Sequence, residues 1–356
     1  MKHNLIFILI IPLLFASCSD DFLQRNPTKS VTDSNFFNSE TELELYSNGF
    51  YSYVPGGTDL MATDFTASDN IEVSTYSAFL AGVRTVPASG GGWSWTTLRN
   101  INYFLAHYRK ADIAVDRLNY YEGFAKFFRA WFYFEKIKMF GDVPWYSEPL
   151  ETTSEELYKG RDSRTVVADS ILVDLDRAIR YLGTAKSPTR ISRWTALALK
   201  SRFCLYEGTY RKYHPELGLT ESAERFLTEC VNASAELIAD GGYSAYNTGK
   251  ISDYGDMFTA TAPNAEFILA RTYDKALSMV HSMNYVLLNS TYYAGAGMTR
   301  QMVESYLMKD GTFFSSRPDA DRMTFAEECA NRDLRLAQTI RTPGYMRTGT
   351  SKKLLP

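Results

Sequence analysis

The sequence predicts a mostly α-helical protein in which antiparallel helix pairs carry a loop-rich face. Three observations predict it. Apolar residues recur at helical spacing in successive segments between residues 96 and 240. Glycine or proline punctuates those segments. The stretches on either side, 58–95 and from 243 onward, show no comparable period. At 356 residues, 45% hydrophobic and 22% charged, the chain has an ordinary globular balance, enough for one large domain or two smaller ones.

The first residues read as an address. Met1-Lys2-His3 is a short basic start and Leu5–Phe15 an apolar run, too short for a bilayer core and suited to a signal peptide over residues 1–17. Ala16-Ser17 before Cys18 resembles a bacterial lipobox, with Phe15 where Leu or Val is usual. Cys18 is therefore the expected lipidation site. Ser19-Asp20-Asp21 resembles the acidic export signal of Bacteroidota surface lipoproteins, and an extended tether over 18–34 follows.

The helices then come in order. Residues 36–53 place Phe37, Leu43, Tyr46, Phe50 and Tyr53 on one side, and Pro55-Gly56-Gly57 ends the segment. Residues 58–95 are irregular, yet their aromatics argue against disorder. From Thr96, the residues Leu98, Ile101, Asn102, Leu105 and Tyr108 make a face. Residues 120–140 are apolar on nearly every side, apart from a stripe of Glu122, Lys126, Arg129, Tyr133 and Lys136 at spacings of four, three, four and three. Such a helix must be covered on most sides. Gly141 suits the position after its last turn and Pro144 prevents resumption. Residues 165–182 carry Val167, Ile171, Leu175, Ala178 and Leu182, with Gly183 as the stop. Ser192 can cap the next helix, expected to end near Gly208. Thr220 can cap a further one, closed by Gly241-Gly242. Short helices are expected near 299–307 and 324–330. Antiparallel pairs with small residues at close approaches resemble tetratricopeptide arithmetic, without a strict 34-residue repeat.

Composition and motifs exclude several functions. The formal net charge is −3 and there is no basic tract, which argues against nucleic acid. No metalloprotease, nucleophile-elbow, P-loop or EF-hand motif occurs, so neither an enzyme nor a cofactor is expected. Cys204, Cys230 and Cys329 lack zinc or redox spacing and read as free thiols.

The segment from Tyr121 to Tyr146, YEGFAKFFRAWFYFEKIKMFGDVPWY, closely resembles a signature of the SusD/RagB family of outer-membrane nutrient-uptake lipoproteins. Further matches follow the family's order: LRNINYFL from Leu98, RDSR from Arg161 with ILVDLDRAI from Ile171, RWTALALKSRFCLY from Arg193, YLMKDG from Tyr306, and NRDLRL from Asn331. The resemblance implies a SusD-like fold over 35–356, with tetratricopeptide-like helix pairs scaffolding a ligand-bearing face. Family members normally continue beyond a point like Pro356, so the part from 243 to 356 is expected to be incomplete through truncation.

The function that the resemblance implies is capture of an oligosaccharide at the cell surface. A lipid-anchored outer-membrane protein would deliver it to a SusC-like TonB-dependent transporter. The alternatives are a helical scaffold or lid that stabilises the transporter without binding glycan, and a truncated, non-functional family member. Sugars offer apolar faces to aromatic rings and hydroxyls to polar groups. The loop before Thr96 supplies such residues: Asp69, Asn70, Tyr76, Arg84, Trp93 and Trp95. Starch-binding members use an acid, an arginine, a tryptophan and an asparagine from this region, which implies Asp69, Arg84, Trp95 and Asn100, with Trp93 as the alternative tryptophan. Tyr293, beside Tyr292 in a later Gly-rich loop, is a further candidate. Trp145 and Tyr146 are candidates just past the helix stop.

Overall fold

The computed structural model describes residues 36–57, 68–72, 78–260, 262–283, 285 and 297–346. The expected signal peptide and tether with Cys18 lie outside the described residues, as do Tyr76, Tyr292 and Tyr293. The fold is mainly helical. Its helices in chain order are α1 (Glu40–Asn48), α2 (Thr96–His107), α3 (Val115–Phe140), α4 (Arg164–Tyr181), α5 (Arg193–Tyr213), α6 (Ala223–Asp240), α7 (Asp253–Thr259), α8 (Arg300–Ser305), α9 (Phe325–Cys329) and α10 (Leu336–Thr339). Two short strands, β1 (Ile71–Glu72) and β2 (Gly297–Met298), pair antiparallel. No helix among the described residues is long and apolar enough to cross a membrane.

Several boundaries differ from expectation, each for a local reason. The helix expected from residue 36 starts at Glu40 and passes into a 3-10 turn at Gly49–Tyr53. Ser39 accepts the Glu42 amide at 3.4 Å, and the Glu42 carboxylate accepts the Asn38 amide at 2.7 Å. Those reciprocal bonds fix the first turn there. Phe37, just upstream, holds a φ of 71° and is fully buried against Tyr46, Tyr103, Phe104 and His107. Ring burial offsets a backbone cost of roughly 1–3 kcal/mol. The central helix begins at Val115, earlier than residue 120. The next correction is at Gly208, which does not end α5; the helix continues to Tyr213. A Cβ at Gly208 would lie 2.8 Å from Leu227 and 3.2 Å from the Ala223 carbonyl, so this glycine lets α6 approach. Thr220 is not the cap of α6: it opens a 3-10 turn before Ala223, and its hydroxyl reaches the Arg211 carbonyl. Gly141 ends α3 with a φ of 69°, as its position suggested.

Helix α3 sits at the centre. From Tyr121 to Ile137 none of its residues is exposed. Phe124, Phe127, Phe128, Phe132 and Tyr133 form its buried aromatic spine. Each fully buried ring contributes on the order of 1.5–3 kcal/mol. Of the polar stripe, Arg129, Tyr133 and Lys136 are buried and Glu122 and Lys126 half-buried, and neighbouring helices answer its arginine and first lysine. Arg129 grips Asp174 of α4 with two bonds, at 2.6 and 2.9 Å, and Lys126 adds a third at 2.9 Å. Arg129 also reaches Asn102 of α2. Arg164 grips Glu207 of α5, which also accepts from Arg211 at 2.8 Å. Lys200 of α5 bonds Asp176 of α4 and Glu229 of α6.

These pairings show the direction of the helices. Residue 129 faces 174 while 137 faces 164 across α3 and α4. Residue 164 faces 207 while 200 faces 176 across α4 and α5. Successive helices therefore run antiparallel. No disulfide links the described cysteines: Cys204 is buried, Cys230 and Cys329 half-buried, and all three are free. Burial pushes the Cys204 thiol up to about 12.

Candidate binding cleft

The cleft forms where α3 stops. Its wall is the last turn of α3, Met139 and Phe140, and its rim is the loop 84–91 with Arg161 facing it. The volume is about 620 Å³, within the range of small-ligand sites. Trp93 stands on the wall, edge-on to Phe140 at 4.8 Å and to Trp95 at 5.1 Å. The Arg161 guanidinium lies 5.0 Å above the Trp93 ring.

The two tryptophans have different environments. Trp95 is rooted in the core, touching Phe132, Tyr133 and Tyr146. Trp93 is 39% exposed and offers ring surface to the cleft. Lys136 holds the loop behind both. It is only 8% exposed, its ammonium donates to the Gly92 carbonyl, and it lies within 5.0–5.6 Å of the Phe132, Trp95 and Phe140 rings. Burial lowers its pKa from the usual lysine value. Gly92 has a φ of 82°, and a Cβ there would meet Met139 Sδ at 2.7 Å, so both backbone and space require glycine.

The segment after Gly141 is fastened from below. Asp142 accepts the Arg164 amide at 2.7 Å, which supports the start of α4. Asp162 accepts the Trp145 amide at 2.6 Å and the Lys159 ammonium at 2.8 Å. Desolvation works against the Asp162 charge, but these bonds outweigh it and hold its carboxyl below the usual value. Trp145 stacks on Tyr133 at 4.2 Å and Arg129 covers its ring at 5.2 Å. Trp145, a candidate from the sequence, is half-buried in these contacts and does not line the cleft. Tyr146 packs edge-on to Trp95 and under Lys159.

The candidates from the sequence are only partly brought together. Arg84 and Trp93 line the cleft, and Trp95 backs it. Asp69 and Asn70 sit beside β1, where the Asn70 carbonyl accepts the Thr299 amide at 2.9 Å; neither lines the cleft. Asn100 is on α2, its carbonyl accepts the Tyr46 hydroxyl at 3.3 Å, and it too is absent from the lining. Tyr293 and Cys18 lie outside the described residues. Lys136, Phe140 and Arg161 were in plain view in the motifs, but only tertiary contact gives them a place beside Trp93. The one local sign was Phe140 immediately before the helix-ending glycine.

Residues 21–205, more than half of the chain, match the family profile described as starch-binding, associating with outer membrane, and residues 265–355 match that of the SusD family. The chain belongs to the SusD family. SusD-like protein P38 of Formosa agariphila is 21% identical over 239 residues, which are 63% of this chain and 46% of that one. A SusD-like carbohydrate-binding protein from Bacteroides fragilis NCTC 9343 superposes with a TM-score of 0.70 at 20% identity, over 88% of this chain and 62% of that one. A laminarin-binding SusD-like protein superposes with a TM-score of 0.51 at 21% identity, over 65% and 51%. The chain spans about half the length of the curated SusD-like relatives it matches.

Proposed function

We propose that this SusD-family chain is a lipid-anchored outer-membrane protein that captures an oligosaccharide and delivers it to a SusC-like TonB-dependent transporter. The observation that carries the binding reading is the exposed Trp93, held on a core-anchored aromatic wall beside Arg84 and Arg161. A sugar would lay its apolar face on Trp93 while the arginines and loop carbonyls take its hydroxyls. Rigid support from Lys136 and Trp95 lowers the ordering cost of binding. The role is binding without chemistry on the sugar.

The test is calorimetry of the full chain against starch- and laminarin-derived oligosaccharides, sugars named by the family description and one structural relative. Binding that falls about tenfold in Trp93→Ala supports the cleft. Absence of binding to every glycan tested, with intact transporter co-purification, favours the scaffold reading. Product release from the same sugars would instead mark an enzyme. For the anchor, Cys18→Ala is expected to release the protein from membranes; continued retention would sink that part.

A further inference from the structure

We propose that the cleft selects anionic saccharides, whose sugars carry a carboxylate or a sulfate ester. This rests on the reading of the cleft as a saccharide site and names the class of sugar. The charged side chains that line the cleft are of one sign. Arg84 and Arg161 line it, and none of its described lining residues is a carboxylate. Lys136 adds a third positive charge beneath the aromatic wall.

Arginines outside the cleft are of two kinds: some hold a carboxylate, while others, such as Arg177 on the Tyr181 hydroxyl and Arg271 on the Val54 carbonyl, do not. Arg99, Arg109, Arg117, Arg190 and Arg225 each hold a glutamate or aspartate. Among the described residues, neither Arg84 nor Arg161 has a carboxylate partner. Arg161 makes one long bond, to the Phe140 carbonyl at 3.5 Å, and otherwise lies over Trp93. A guanidinium carries five N–H donors in a fork that matches carboxylate and sulfate oxygens. A sugar stacked against the Trp93 wall would therefore bring an acidic substituent within reach of an unneutralised guanidinium. The chain as a whole has a net charge of −3, so the positive charge at the cleft runs against the average of the molecule.

Two probe pairs separate charge from shape. Oligogalacturonate is compared with its methyl ester, and a κ-carrageenan oligosaccharide with its desulfated form. The charged member is expected to bind more tightly by about fivefold per arginine engaged. Raising salt from 50 to 500 mM should shrink the difference, because these charges are exposed. Arg84→Gln with Arg161→Gln should bring the ratio close to one, while Arg84→Lys with Arg161→Lys retains part of it; melting temperatures check that each variant folds. Preference for only the carboxylate or only the sulfate supports the proposal and identifies the group. Equal binding of charged and neutral forms, still dependent on Trp93, overturns the proposal and leaves the saccharide reading standing. A charge preference that survives the glutamine variants overturns the assignment to these arginines. No binding by either pair or by the neutral glycans overturns both readings.

Discussion

Lys136 shows how one side chain can serve both core and cleft. It is the fifth member of a polar stripe on α3, and the sequence gives it no role beyond that stripe. In the fold it is a buried ammonium without a described carboxylate partner, bound to the Gly92 carbonyl and ringed by aromatics. A charge-assisted bond of this kind contributes about 1.5–3 kcal/mol. Lys136→Met is expected to keep the fold, change the emission of the tryptophans, and weaken ligand binding about tenfold by loosening the loop. Fluorescence and calorimetry together check it. Its pH behaviour has a definite sign. Burial lowers the folded pKa, so between that value and 10.5 the unfolded chain holds more protons than the folded one. Lys136 therefore contributes stability that rises with pH through that window. Urea midpoints measured from pH 8 to 10.5 should show this rise in the wild type relative to Lys136→Met; parallel curves would refute it. Trp93 and Trp95 were readable as candidates, but which one faces solvent was not, since that depends on contacts with residues 132–146.

At the scale of elements, helix existence was legible and helix ends were not. Apolar spacing marked α2 to α6, whereas Gly208 read as a stop although its role is to admit Leu227. A lone glycine has the same appearance at a terminus and at a close helix contact. The ion pairs between helices were also hidden, because Asp174 and Glu207 look like ordinary helix-surface acids until the partner helix is placed. Asp174 is buried and bound by both Arg129 and Lys126. Asp174→Asn is expected to cost about 3–5 kcal/mol by leaving Arg129 uncompensated, measured by denaturant unfolding. The segment joining α3 to α4 has its own acid limit. Asp162 has a folded pKa below the usual 3.8, so its contribution is complete above that value and is lost as pH falls through the lower, folded one. Asp162→Asn should be less stable than wild type at pH 6, with the gap closing in strong acid.

At the scale of the whole molecule, the order of motifs along the chain carried more information than any single motif. Two of the motifs are structural joints. In GDVP, Asp142 supports the start of α4; in RDSR, Asp162 ties down Trp145 and Arg164 enters the core beside Glu207. The family could thus be read from packing residues, whereas the rim of the cleft, residues 84–91, lies on a loop with no local signature. The packing also predicts thiol behaviour. Cys204 is sealed between helices with its thiol shifted to about 12, while Cys230 and Cys329 are half-buried. Under native conditions Cys230 and Cys329 should react with a thiol reagent first. Cys204 should react only at the rate of global opening, a difference that mass spectrometry of labelled peptides resolves.

The wall and rim of the cleft are tied to the scaffold to different degrees. Phe140 and Lys136 belong to the most enclosed helix, while residues 84–91 are exposed and touch the wall from outside. Drift in the rim can therefore proceed without reference to folding, and drift in the wall cannot. Residues 84–91 form a cassette: grafting another rim there should leave the melting temperature nearly unchanged and, under the proposed saccharide role, change which sugar is held by rewriting eight positions of a chain whose scaffold stays as it is.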